Sequence, residues 1–382
     1  MKKLRNYHTG LIFLIWFVAL VPTILFRAGT IIFVSPAHHG RLVTMQAPII
    51  LILVATYIII ELTTKKNHLK QLAPIALILI IPLISTILSG NNRLALAFIL
   101  ALSFINLDLK KLMRFDLILR FIFIPTVIAL TLLGLVENRL IGRSGGAAYR
   151  YALGFSHPNT LGMYVLSLCL GYLYIKYDSL KKRNYFVVMI LGCIMFYYTR
   201  SNTSFILIGL SILLVLVFKR WNILIKSSQT AKVILLSFMP FMALLSFLSA
   251  IFYNPGTSFW RLMNRLTTGR TYFNKLFLDN YGVSLFGQQV HLVSGGRAET
   301  YGIGALILDN AYMSLAINFG IVSLVLLILA SVLLIRRSLI FEDYGLLVAI
   351  LIFSILGLME TGWFDIRVNW TLLSVASLFE KD

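Results

Sequence analysis

The sequence predicts an all-α fold, a polytopic transmembrane helical bundle of about 12 spans with both termini cytoplasmic and a long, partly helical extracytoplasmic loop. Three observations carry this. Hydrophobic residues make up 59% of the 382 residues, charged residues only 13%, and mean hydropathy is +0.88. A soluble domain is about half apolar and about a quarter charged. The apolar residues fall in blocks of roughly 15–25, the length that crosses a bilayer as a helix, without the polar–apolar alternation of a barrel. Finally, lysine and arginine gather in every second loop, the pattern that fixes orientation in a membrane.

In chain order the predicted spans are 10–26, 46–62, 73–89, 92–106, 118–136, 159–175, 185–199, 203–218, 233–252, 311–335, 344–360 and 367–379. The first follows Lys2, Lys3 and Arg5 and reads as a retained signal anchor, because no small-residue cleavage site leads into polar sequence. The fourth and the last are short enough to be re-entrant or tilted. Pro22, Pro82, Pro125 and Pro240 fall within spans, where neighbouring helices can accept the freed carbonyls. Cys169 and Cys193 sit in apolar blocks and imply neither a disulfide framework nor a metal site. The whole chain, 1–382, reads as a single integral membrane domain. Segments 137–158 and 253–310 are its long extracytoplasmic loops and would cap the candidate site.

With the N-terminus inside, the basic loops around Lys65, Lys110, Lys181, Lys219 and Arg336 face the cytoplasm. The outer face is then rich in arginine: Arg27, Arg41, Arg93, Arg139, Arg143, Arg150, Arg200, Arg261, Arg265, Arg270, Arg297 and Arg367, with Lys275 its one lysine. Topology alone does not favour arginine over lysine. A planar guanidinium grips phosphate oxygens bidentately and never deprotonates, so the set points to a phosphate-bearing ligand. Lipid headgroups or pairing with carboxylates explain single members equally well. The outer acids are few: Glu137, Asp279, Glu299, Asp309, Glu360 and Asp365.

Loops as long as 253–310 are functional or disordered, and this one mixes aromatics (Phe259, Trp260, Tyr272, Phe273) with glycine and arginine. Such a segment suits a folded cap whose rings stack on sugars, or an amphipathic helix lying on the membrane surface. Arg200 lies in a very short turn between two spans, held near the membrane where an idle ion is costly. Asp309-Asn310 opens the span 311–335, and Asp309 reads as a base or as a helix N-cap. His157-Pro158-Asn159 opens another, with His157 a base or merely interfacial. No P-loop, dinucleotide fingerprint, D-x-D pair or metal-spaced Cys/His cluster occurs. No cofactor and no metal are expected, and any activated donor would arrive on a lipid.

The segments Gly154-Phe155-Ser156-His157-Pro158-Asn159-Thr160-Leu161-Gly162, Thr199-Arg200-Ser201, Thr268-Gly269-Arg270-Thr271 and Asp309-Asn310-Ala311-Tyr312, with Gly320 beyond, occur in that order. Together they resemble the O-antigen polymerase (Wzy) and O-antigen ligase superfamily, more narrowly the polymerases of capsular and exopolysaccharide clusters. The resemblance runs from about Leu140 to Arg337. It implies a membrane-embedded glycosyltransferase of a bacterial cytoplasmic membrane. Such an enzyme moves a growing glycan from undecaprenyl pyrophosphate to a lipid-linked repeat unit, and a chain-length regulator is a further candidate partner. By resemblance, Asp309 with Asn310 would be catalytic. Arg200 and Arg270, joined by Arg143, Arg150 and Arg297, would bind the pyrophosphate, with His157, Asn159 and Glu299 as further candidates. Asp309 stands where ligases carry a histidine. The rivals are a ligase with another acceptor, a lipid-linked oligosaccharide flippase, and an O-acyltransferase built on His157. Against the flippase stand the long 253–310 insertion and the lack of half-to-half similarity.

Overall fold

A computed structural model of the protein describes residues 2–26, 46–59, 69–104, 108–142, 149–293 and 306–379. Nearly all of this is helix. The paired strands among the described residues are Leu140–Ile141 (β1) and Arg150–Tyr151 (β2), a short antiparallel hairpin. Four of the described helices are long and apolar enough to cross a membrane: Leu109–Leu132, Asn202–Ile223, Gln229–Ile251 and Ala311–Ile340. Shorter apolar helices include Gln46–Ile59, Leu77–Ser89 and Tyr344–Gly357. The long helices turn apolar side chains outward, with Phe121 72% and Leu132 75% exposed. Apolar faces of this size are covered by lipid or by another protein rather than by water. The chain divides into two compact units, Met1–Lys70 with Leu102–Arg220 and Phe379–Asp382, and Gln71–Ala101 with Trp221–Leu378.

The first unit is built on α1 (Lys2–Phe26), α2 (Gln46–Ile59), α5 (Leu109–Leu132), α6 (Pro158–Lys176), α7 (Lys182–Thr199) and most of α8 (Asn202–Ser227). α1 packs on α5, α5 on α6 and α6 on α7. Glycines let the helices approach: Gly171 against Met113 and Leu117, Gly162 against Ser201 and Ser204, Gly192 against Ile208. α5 is capped by Asp108, whose side chain accepts from the Lys111 N–H. It begins at Leu109, nine residues before the expected span at 118, and so takes Asp116 into the helix. Asp116 and Arg120 are fully buried, with Arg120 Nε donating to Asp116 Oδ2 at 2.7 Å. Trp16 Nε1 donates to the other carboxylate oxygen at 3.0 Å, and the guanidinium lies over the Tyr164 ring, 5.7 Å from its centre. One ion pair thus joins α1, α5 and α6, and pairing is what lets charge reside at this depth.

The second unit holds α3 (Leu69–Ser89), α4 (Arg93–Ser103), α9 (Gln229–Ile251), α10 (Ser258–Leu266), α11 (Arg270–Tyr281), α12 (Ala311–Ile340) and α13 (Tyr344–Gly357), and two turn-like helical stretches, Thr361–Phe364 and Trp370–Phe379. α3 and α4 cross its boundaries at 70/71 and 101/102. α12 is not the uniform helix that its hydropathy suggests. It opens as a regular turn, widens to π winding over Leu315–Gly320 and breaks at Gly320, where φ is +95°. The segment following α11 docks against the break. Ser284 N and Gln288 N donate to the carbonyls of Ala316 and Asn318, and Ile321 N donates back to Ser284 O. Ser85 of α3 donates to Phe319 O at 2.8 Å. A Cβ on Gly320 would stand 2.5 Å from Leu285 O, so glycine is required both by the dihedral and by this approach. The backbone groups freed by the break are therefore re-satisfied within the protein, the condition for irregular chain at membrane depth.

Candidate functional site

Arg270 is the first residue of α11. It follows a turn in which Thr268 (φ +53°) and Gly269 (φ +89°) are both left-handed. A β-branched residue rarely adopts that region, so the turn stores strain beside the arginine. The guanidinium has five N–H donors, and all are engaged. Nε donates to Met359 O at 2.6 Å, and Nη1 to Thr267 O at 3.2 Å and to Thr268 Oγ1. Nη2 donates to Glu360 Oε1 at 2.8 Å and to Asp309 Oδ2 at 3.2 Å. Arg270 and Glu360 are largely buried, with side chains 12% and 9% exposed, while Asp309 keeps 34% of its side-chain surface. Burial among surrounding protein atoms pushes the Asp309 carboxyl up, and the Arg270 charge draws it partly back, leaving it above the ordinary carboxylate value. Asp309 is thus the more open of the two carboxylates in a cluster built on one cation, and its carboxyl lies above the ordinary value.

Asn310, beside it, does a different job. Its Oδ1 accepts from the Met313 N–H and its Nδ2 donates to Ser246 Oγ of α9 at 3.0 Å. The N-cap of α12 is therefore Asn310, and Asp309 is left to face Arg270. The sequence marks Glu360, by contrast, only as an outer acid. It lies 51 residues beyond Asp309 in the chain, and no motif links the two.

The first unit gathers a separate group. The β1–β2 hairpin carries Arg150, whose Nη2 donates to Asn159 Oδ1 and whose Nε donates to Thr199 O at 3.0 Å. His157 is the N-cap of α6, its Nδ1 accepting from the Asn159 N–H at 3.1 Å, which leaves the proton of a neutral ring on Nε2. Arg200, in left-handed conformation (φ +48°), closes α7. It is exposed and stacks near the Phe196 and Tyr197 rings, 5.8 and 5.9 Å from their centres, with no carboxylate partner among the described residues. No family model, curated protein or solved structure matches the chain. Arg143, Arg297 and Glu299 lie outside the described residues.

The long segment between α9 and α12 is partly helical. Thr257 caps α10 through the Trp260 N–H. α10 buries none of its side chains and exposes Phe259, Leu262 and Leu266 on one face, with Arg261 and Arg265 off it. That division is the pattern of a helix lying in a membrane–water interface. Tyr253, Trp260 and Tyr272 form an edge-to-face ring group at its base, with centroids 6.1 and 6.4 Å from Tyr253.

Proposed function

We propose that the chain is a membrane-embedded polysaccharide polymerase that extends a glycan held on undecaprenyl pyrophosphate, working at the outer face of a bundle of about 12 spans. The observation that carries this reading is the Asp309–Arg270–Glu360 cluster: a carboxylate of raised basicity held against a buried guanidinium. In the reaction an acceptor hydroxyl attacks the anomeric carbon of the pyrophosphate-linked sugar. The hydroxyl proton passes to Asp309, the new glycosidic bond forms, and the bond from the anomeric carbon to the phosphate oxygen breaks. The leaving pyrophosphate takes up the developing charge, which arginine donors stabilise.

Because every Arg270 donor is engaged, a phosphate reaches this arginine by exchange. The Asp309 bond is the longer of the two carboxylate contacts and the more exposed. A phosphate that takes Nη2 frees Asp309 from the charge that lowers its pKa, so donor binding strengthens the base. The exposed Arg200 guanidinium is proposed as a phosphate ligand in its own right.

Extension of a purified lipid-linked repeat unit by the purified protein tests the reading. Asp309→Asn is expected to abolish extension while the protein stays folded, and polymer of normal length and yield from that variant would refute the base assignment. Lipid-linked glycans of a deletion strain separate the rival activities. Loss of a polymerase leaves single repeat units outside, loss of a flippase traps them inside, and loss of a ligase leaves long polymer on the carrier.

A further inference from the structure

A cavity of about 430 Å³ opens in the second unit, against the break in α12. Its walls are the end of α3 and the turn into α4 (Thr86, Ser89, Gly90, Asn91, Asn92), the segment after α11 (Val290, Leu292), and Asn318 of the π-wound stretch. The volume falls in the ~300–1,000 Å³ range of small-molecule sites. Asn318 is 4% exposed, and its Oδ1 has no hydrogen-bond partner among the described residues. The carbonyls around it are satisfied by Ser284, Gln288 and Ser85, so the break does not need this amide. A buried amide oxygen left unpaired is costly, and such a group calls for a reason beyond folding.

The lining names the chemistry. Thr86 donates its hydroxyl proton to Pro82 O at 2.8 Å and Ser89 its own to Ser85 O at 2.6 Å, so both offer only lone pairs to the cavity. Asn91 Oδ1 accepts from the Arg93 N–H, which leaves its Nδ2 as a donor. Acceptors thus sit beside amide donors, with two aliphatic side chains and, among the described residues, no charged side chain in the wall. Among the described residues an anion would meet three acceptors and no cation, and a cation would meet no carboxylate. A hydroxyl both donates and accepts, and the C–H face of a sugar ring suits Val290 and Leu292. We propose that this cavity binds an uncharged sugar residue through Asn318, Asn91 and Ser89. The proposal rests on the lining and stands whether or not the chain polymerises glycans. Asn318 lies nine residues along the chain from Asp309, roughly 13.5 Å at the helical rise, so on the polymerase reading the cavity would seat part of the same glycan.

Saturation-transfer NMR on the full chain in nanodiscs, with methyl glycosides of neutral hexoses, with glucuronate and with inorganic phosphate, tests it. Saturable binding of at least one neutral glycoside is expected, weakened about tenfold by Asn318→Leu, the factor carried by one hydrogen bond of ordinary strength. Ser89→Ala, a smaller change, is expected to weaken it as well and guards against misfolding of the first variant, which its thermal unfolding reports. Equal or tighter binding of glucuronate or phosphate would overturn the proposal. So would the absence of binding by any glycoside at tens of millimolar, or binding untouched in both folded variants. Glycoside binding without chain extension would retain the cavity and remove the polymerase reading. Extension without glycoside binding would do the reverse.

Discussion

Asp309 and Arg270 form a pair whose members depend on each other in opposite senses. The arginine lowers a carboxyl that burial raises. A base works only when deprotonated, so with Asp309 as the proposed base, extension is expected to fall as pH drops through its pKa. The acid limb of the pH–rate profile is therefore expected above the ~3.9 of an ordinary aspartate. In Arg270→Gln, any residual activity should show that limb moved to still higher pH, because the lowering charge is gone. A limb that stays in place would show that Asp309 does not titrate in catalysis. Arg270→Lys keeps the charge but supplies at most three of the five donors. It is expected to lose most extension activity, and Arg270→Ala, which leaves Glu360 buried without its cation, to cost about 3–5 kcal/mol of stability by thermal unfolding in detergent. The roles of these residues were unequally legible in the sequence. The motif around Asp309 marked the place, but two neighbouring side chains could each cap the helix. Only the three-dimensional contacts decided that Asn310 caps and Asp309 pairs with Arg270. Glu360 was out of reach because an ion pair between distant chain positions has no local signature.

Helices followed hydropathy closely where they were uniform. The expected 159–175 is α6 (Pro158–Lys176), and the expected 185–199 is α7 (Lys182–Thr199). Hydropathy sums composition over a window, so it cannot register a single dihedral. The Gly320 break inside α12 was invisible to it, as was the ion pair that the early start of α5 draws inward. Both elements make predictions of their own. Gly320→Ala places an L side chain at φ +95° and drives a Cβ against Leu285 O. A loss of about 1–3 kcal/mol from the dihedral alone is expected, more with the clash, seen as a lower unfolding temperature. Asp116→Ala strips the Arg120 guanidinium of its carboxylate and should cost about 3–5 kcal/mol, whereas Asp116→Leu with Arg120→Met should cost markedly less, because an apolar pair needs no partner. Equal losses in the two would show that the pair itself contributes net stability.

At the scale of the whole molecule, sidedness is what the charge pattern predicts most firmly. In a protein whose Cys193 is replaced by serine, Ser258→Cys is expected to react with a membrane-impermeant maleimide on intact cells. Lys182→Cys should react only after permeabilisation. The reverse result would place the Arg270 cluster on the cytoplasmic side and end the lipid-donor reading. The overall class, an all-α protein with lipid-compatible faces, followed from composition because hydrocarbon leaves the backbone so few choices.

α10 and α11 are joined by the three residues Thr267–Gly269, and the arginine comes next. A helix whose outward face is Phe259, Leu262 and Leu266 would take its height from an acyl boundary on which it rested. The three-residue link would pass that height directly to the guanidinium. Bilayer thickness and headgroup spacing would then be inputs to the proposed chemistry. On the proposed polymerase reading, the same chain reconstituted in short-chain and long-chain lipids is expected to extend glycan at different speeds with the Arg270 cluster unchanged.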